Sequence, residues 1–222
     1  MRLAITPDHK EFFNKNGYLE LEGLLSVSAA ADVRKSIEET IAARLKVPVA
    51  KLGTQPAVGL FQAGYDLWRD NEVVKRVAQK KDFALLASEL FQLTSLRLAF
   101  DEYVCTTHGS PFPERLTLQE TSCLSPLAGA LILPLTDLLQ PIPLFSMPLN
   151  AGSGLFISPS LPIPWPELFA TEGLCFLIIG FANKRTLFCP DTRDPHAVNL
   201  KRLGYVFNDK LSDSLHPLLV RK

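Results

Sequence analysis

A metal that activates small molecules at an open face needs two imidazoles and a carboxylate on one side of the ion. The chain offers four histidines, His9, His108, His196 and His216. Its only His-x-Asp or His-x-Glu spacing is His9-Lys10-Glu11. That segment reads as helix, where side chains two apart diverge, so the pair reads as solvated helix surface. His108 falls in a Thr107-His108-Gly109-Ser110 turn, His196 follows Asp194-Pro195, and His216 precedes Pro217. Each reads as a surface-loop histidine. A non-standard site drawing on Cys189, Asp191, Asp194 and His196 has only nearness in sequence in its favour. Cys105, Cys123, Cys175 and Cys189 lack the closely spaced pairs of a zinc site and read as reduced, mostly buried thiols. Gly152-Ser153-Gly154 has the wrong spacing for a nucleophile elbow, and no phosphate loop or dinucleotide fingerprint occurs.

The elements that must position these groups begin with a helix. Thr6-Pro7-Asp8 supplies its cap, first-turn proline and dipole-matched acid, and Asn16-Gly17 stops it. Tyr18 to Leu24 alternates as a short strand, with Leu19 and Leu21 on one face. Ser26 or Ser28 caps a longer helix whose apolar stripe is Val33, Ile37, Ile41 and Leu45. Lys46 to Tyr65, punctuated by Pro48, Gly53, Pro56, Gly59 and Gly64, reads as a loop. Helical pattern resumes from about Trp68 to Phe91, broken near Lys80-Lys81-Asp82.

The character then changes. Ser95 to Cys105 alternates as a strand, with Leu96, Leu98 and Phe100 on one side and Arg97, Asp101 and Tyr103 nearer the other. Eleven of the 17 prolines lie from Pro111 to Pro166, where they mark turns and strand ends and argue against helices. Apolar runs at Ala130 to Leu135, Leu155 to Ser158, Leu174 to Phe181, Arg185 to Cys189 and Leu203 to Asn208 read as strands of a sandwich or barrel. Between Arg115 and Lys184 there is no lysine or arginine, and between His108 and His196 no histidine. The barrel interior is therefore expected to be apolar and neutral polar. The organisation expected is one α+β domain over 1–222, mainly helical over 1–94 and a β-barrel over 95–222.

Composition narrows the partners. The 222 residues carry 23 basic and 23 acidic side chains and are 47% hydrophobic, which fits a packed globule. The balance gives no global field toward nucleic acid or membrane, so neither is an expected partner. The C-terminal segment is modestly basic, through Lys184, Arg185, Lys201, Arg202 and Lys210 among others, but Asp191, Asp194, Asp209 and Asp213 dilute it. It reads as solvated surface. The N-terminus has no apolar run of signal-peptide length, and the longest apolar run is too short to span a bilayer. A soluble, cytoplasmic protein is expected.

Several segments resemble the phytanoyl-CoA dioxygenase family of iron(II)/2-oxoglutarate-dependent oxygenases. Phe13 to Ser26 resembles the family's opening helix and strand, Asp66-Leu67-Trp68-Arg69-Asp70-Asn71 with Val73, Val74 and Val77 a recurrent helix, and Leu96 to Val104 the strand that enters the barrel. Arg185-Thr186-Leu187 and Lys201-Arg202-Leu203-Gly204-Tyr205 resemble its last strands. The resemblance implies a double-stranded β-helix, a jelly-roll or cupin-like barrel with helices packed outside. It places the first metal-ligand pair at Leu118 and Glu120 and the distal metal histidine at Phe188, and matches the cation that grips 2-oxoglutarate with Arg202 or Lys201. Two histidines are thus replaced by hydrocarbon, and no catalytic residue, metal ligand or cofactor is expected. Iron(II) and 2-oxoglutarate binding are expected to be absent or weak. The reading that follows is a non-catalytic protein of this fold that binds a small molecule or a protein partner. Behind it stand an enzyme with a relocated site drawn from Glu120, Cys189, Asp191, His196 and Arg202, and then a metal-responsive regulatory or DNA-associated protein.

Overall fold

The computed structural model describes residues 4–105, 114–137, 150–170, 173–190, 194 and 196–221. Local signals set the first elements. In α1 (Pro7–Asn16) Thr6 Oγ1 accepts from His9 N at 3.2 Å while His9 Nδ1 accepts from Thr6 N at 3.3 Å. His9 therefore closes a reciprocal cap. Gly17 ends the helix at φ 77°, a left-handed conformation that costs glycine little. β1 (Tyr18–Leu21) buries Leu19 and Leu21, and α2 (Val27–Leu45), capped by Ser26, buries Val33, Ile37 and Ile41.

The stretch 46–65 departs from the expected loop. It forms a 3-10 turn, Val49–Thr54, and a short helix α3 (Ala57–Ala63). Pro48 and Pro56 stand just before these two elements in extended conformation. A proline there starts a helix instead of breaking one, because the missing N–H would have no partner in any case. A 3-10 turn at Leu67–Arg69, then α4 (Glu72–Ala78) and α5 (Lys81–Leu90), complete the helical part, with the break where it was expected.

The strands are β2 (Ser95–Cys105), β3 (Leu116–Thr117), β4 (Leu124–Pro134), β5 (Gly154–Ile157), β6 (Pro162–Ile163), β7 (Cys175–Phe188) and β8 (Leu218–Arg221). Five of them join β1 in a six-stranded antiparallel sheet in the order β1-β5-β4-β7-β2-β8, and β3 pairs with β6 apart from it. Two apolar runs expected as separate strands merge into β7. The proline-rich stretch does contain a short helix, α6 (Trp165–Phe169), with Pro166 in its first turn, where the lost donor has no cost. Leu203 to Asn208 is not a strand. It follows helix α7 (Ala197–Arg202) as a turn tied to β7 through Asn208 N to Phe188 O at 2.8 Å and Phe188 N to Asp209 O at 2.9 Å.

Each face of the large sheet carries its own hydrophobic cluster. One joins Leu131, Leu133, Leu177 and Ile179 to the helices, and the other joins Ala130, Ile132, Phe176 and Ile178 to Leu118, Trp165, Phe188 and Leu200. Alternation along β4 and β7 produces this division directly. In β2 it is interrupted. Leu96 and Leu98 belong to the helical side, but a register shift between Leu98 and Phe100 turns Phe100 to the other side. One extra residue flips every later side chain. Phe100 therefore does not share a face with Leu96 and Leu98. No helix among the described residues is long and apolar enough to cross a membrane.

Candidate functional site

Past that bulge, the two consecutive acids of β2 face opposite ways. Asp101 accepts from the backbone N–H of Leu67 at 3.0 Å and of Trp68 at 3.1 Å, closing the 3-10 turn. Asp66 N donates to Asp101 O at 2.8 Å and Tyr103 N to Gly64 O at 2.9 Å, which fastens segment 64–68 along the strand. Arg44 on α2 holds the same segment from outside, donating to the carbonyls of Ala63 at 2.7 Å and Tyr65 at 2.6 Å and to both carboxylate oxygens of Asp70.

Glu102 lies on the other face, in a cavity lined by Phe61, Tyr65, Phe100, Leu118, Thr121, Ser122, Trp165, Ile178, Asp194 and His196. Its free volume is about 30 Å³, room for one or two waters. Gly180 on β7 opposes Phe100, and a Cβ there would meet the Phe100 ring at 2.5 Å, so a bare backbone is what lets this ring form a wall. His196, just before α7, stacks on Tyr65 with ring centres 3.7 Å apart and on Phe61 at 5.0 Å. Asp194 pins it: one carboxylate oxygen accepts from His196 N at 2.7 Å, the other from Cys123 N at 2.6 Å.

Glu102 Oε2 is 2.8 Å from His196 Nε2. The oxygen lies off the line along which the ring nitrogen donates or accepts, so the contact is close without being an aligned hydrogen bond. Glu102 Oε1 and both His196 ring nitrogens have no hydrogen-bond partner, although the residues are 4% and 3% exposed. Burial holds the Glu102 carboxyl well above its usual range, with repulsion from Asp194 and Asp66 adding and Arg44 opposing. Burial pushes His196 down to about 4, against the attraction of Asp194 and Asp66. Burial thus disfavours the charged form of both groups and leaves them with unused hydrogen-bonding capacity.

The expected site residues are distributed as follows. Leu118 lines the cavity, and Phe188 is fully buried in the same cluster, packed on Tyr205. Glu120 turns back to β3, its carboxylate accepting from Thr117 N at 2.8 Å and Thr117 Oγ1 at 2.9 Å. Lys201 and Arg202 are exposed on α7, not on a barrel strand. Cys189 Sγ lies 3.9 Å from Asn208 Oδ1 and is not among the residues that line the cavity with Asp194 and His196; Asp191 and His108 lie outside the described residues. His196 and His216 are buried, contrary to the surface-loop reading, because aromatic rings cover the first and backbone carbonyls engage the second. Glu102 was missed. The available signal was two adjacent acids inside a strand whose other residues are apolar on both faces.

Iron(II) with 2-oxoglutarate, which the resemblance implies, needs nitrogen and oxygen donors at Leu118, Glu120 and Phe188. Two of those side chains are hydrocarbon and the third is engaged in its own turn, so the residues at these positions do not fit the group. Among the described residues, no three of His, Cys, Asp and Glu converge as a metal site.

No family model matches the chain, and no curated protein does. Solved structures do. The non-heme α-ketoglutarate-dependent carbocyclase SnoK from nogalamycin biosynthesis is 14% identical, with 97% of each chain covered and a TM-score of 0.68. The non-heme α-ketoglutarate-dependent epimerase SnoN from the same biosynthesis is 16% identical, with 96% of this chain and 97% of that one covered and a TM-score of 0.65. CT296 from Chlamydia trachomatis is 18% identical over 82% of this chain and 99% of its own, with a TM-score of 0.52. The chain thus has the fold of non-heme 2-oxoglutarate-dependent enzymes.

Proposed function

We propose that this chain is a binding protein built on a double-stranded β-helix, and that it does not carry out iron(II)/2-oxoglutarate oxygenation. The support is the hydrocarbon of Leu118 and Phe188 at positions where the resemblance assigns metal imidazoles. One remaining carboxylate, turned to Thr117, does not hold iron(II) at neutral pH. Binding falls to the cavity beside them. A small polar molecule there would satisfy Glu102 Oε1 and the His196 ring nitrogens, whereas a five-carbon diacid exceeds the free volume. Calorimetric titration with manganese(II), standing in for iron, and 2-oxoglutarate tests this. No saturable heat is expected, and joint binding in which each ligand requires the other overturns the proposal.

One observation favours a second reading, an enzyme with a relocated site. A buried carboxyl 2.8 Å from an imidazole nitrogen sets two groups able to carry a proton side by side in one cavity. Succinate and CO2 formation from 2-oxoglutarate with iron(II) and dioxygen as oxidant, lost in Glu102→Gln and His196→Phe, would establish it. Turnover unchanged in both variants would remove this pair from the chemistry.

A further inference from the structure

The formal charge of the chain is zero, but the charge is not evenly spread. α7 and the turn after it expose Val198, Leu203, Val206 and Phe207, half of the large hydrophobic side chains that stand exposed among the described residues. Val206 and Phe207 are 65% and 67% exposed, which makes them a protruding tip. Lys201 and Arg202 are exposed on α7 itself, and exposed Lys210 follows the turn and bridges to Leu187 of β7, the strand on which Lys184 and Arg185 are also exposed. The acid of the turn, half-buried Asp209, is turned inward to accept from Val206 N at 2.8 Å. The tip is tied from behind, through the bonds of Asn208 and Asp209 to Phe188 and through buried Tyr205.

We propose that this basic and apolar tip docks on an anionic lipid surface, with Val206 and Phe207 in the headgroup layer and the five cations against the lipid charges. Apolar groups at a tip with cations behind them match the layering of a membrane interface, apolar inside and anionic outside. The other occupants fit worse. A second copy related by a two-fold axis would bring cation against cation. A peptide needs a groove that covers its side chains, whereas Val206 and Phe207 stand 65% and 67% exposed. A nucleic acid would pair with the cations and leave Val206 and Phe207 without an apolar surround. The inference concerns a surface apart from the Glu102–His196 cavity and stands whether or not that cavity binds a ligand.

Co-sedimentation of the full chain with vesicles of two parts phosphatidylcholine to one part phosphatidylserine tests it. Binding is expected at low salt, weakened by added salt and by leaving out phosphatidylserine. Phe207→Ser should lower the partition coefficient about tenfold, and Lys201→Glu with Arg202→Glu about tenfold or more. These side chains are exposed, so unchanged thermal melting will show that each variant is folded. No sedimentation with the anionic vesicles overturns the proposal, as does binding that Phe207→Ser leaves intact. Capture of labelled duplex DNA that survives Phe207→Ser would assign the surface to nucleic acid instead. Concentration-dependent dimers lost in Phe207→Ser would assign it to a second copy.

Discussion

At the scale of single residues, the consequence of burying Glu102 is a dependence on pH. The folded chain keeps this carboxyl protonated above the pH at which the unfolded chain releases its proton. The folded state then binds more protons, so stability falls as pH rises through that interval, by at most about 1.4 kcal/mol per pH unit. Glu102→Gln keeps the shape and cannot ionise. Relative to the parent chain, this variant is expected to gain stability as pH rises above about 4.5, read as a rising difference in urea midpoints across a pH series. An unchanged difference would mean that Glu102 ionises freely in the fold. The charge of Glu102 is plain from sequence, whereas its setting is not. His196 covers it by stacking on Phe61 and Tyr65, contributed by a distant helical segment, and no local pattern around Asp194 encodes that encounter.

At the scale of elements, the bulge in β2 decides which side chains reach the cavity, and His216 braces it. Its Nδ1 lies 2.9 Å from Ala99 O and 3.3 Å from Leu98 O, consecutive carbonyls that a regular strand would point in opposite directions. Two carbonyl neighbours mean that Nδ1 carries the proton and donates. His216→Leu leaves both carbonyls short of a donor and should cost about 1–3 kcal/mol near pH 7.5. Burial pushes His216 down to about 4, so below about pH 6.5 the unfolded ring takes up a proton that the folded ring refuses. The parent chain loses stability there through this ring as well as through His196, and the leucine variant only through His196. The deficit of His216→Leu should therefore shrink toward pH 5, a trend that denaturation at the two pH values will show. The strand itself was legible from its alternation, as were the caps at Thr6 and Ser26. The side on which Phe100 lies was not, because the bulge is set by contacts to His216 and β7, far along the chain. The prolines at 48 and 56 misled for a different reason: the same residue ends one helix and begins another, and only the backbone geometry before it tells which.

At the scale of the molecule, one sheet has two faces and both hydrophobic clusters depend on it. β2, β4 and β7 each give side chains to the helical side and to the cavity side, so neither cluster persists once these strands part. That arrangement argues against a helical part that unfolds by itself, even though the sequence changes character sharply near residue 94. The two tryptophans provide the means to test it, since Trp68 lies in the helical-side cluster and Trp165 in the cavity-side cluster, its Nε1 donating to Leu116 O at 3.1 Å. Trp165→Phe leaves fluorescence from the first alone, and Trp68→Phe from the second alone. In each single-tryptophan protein, fluorescence and far-ultraviolet circular dichroism should follow the same urea transition, as required of a two-state domain. A Trp68 signal lost at lower urea than the circular dichroism of the sheet would divide the chain into two units. The cavity would then have to be understood as lying at their boundary, because Phe61 and Tyr65 come from the helical part and Glu102 and Ile178 from the sheet.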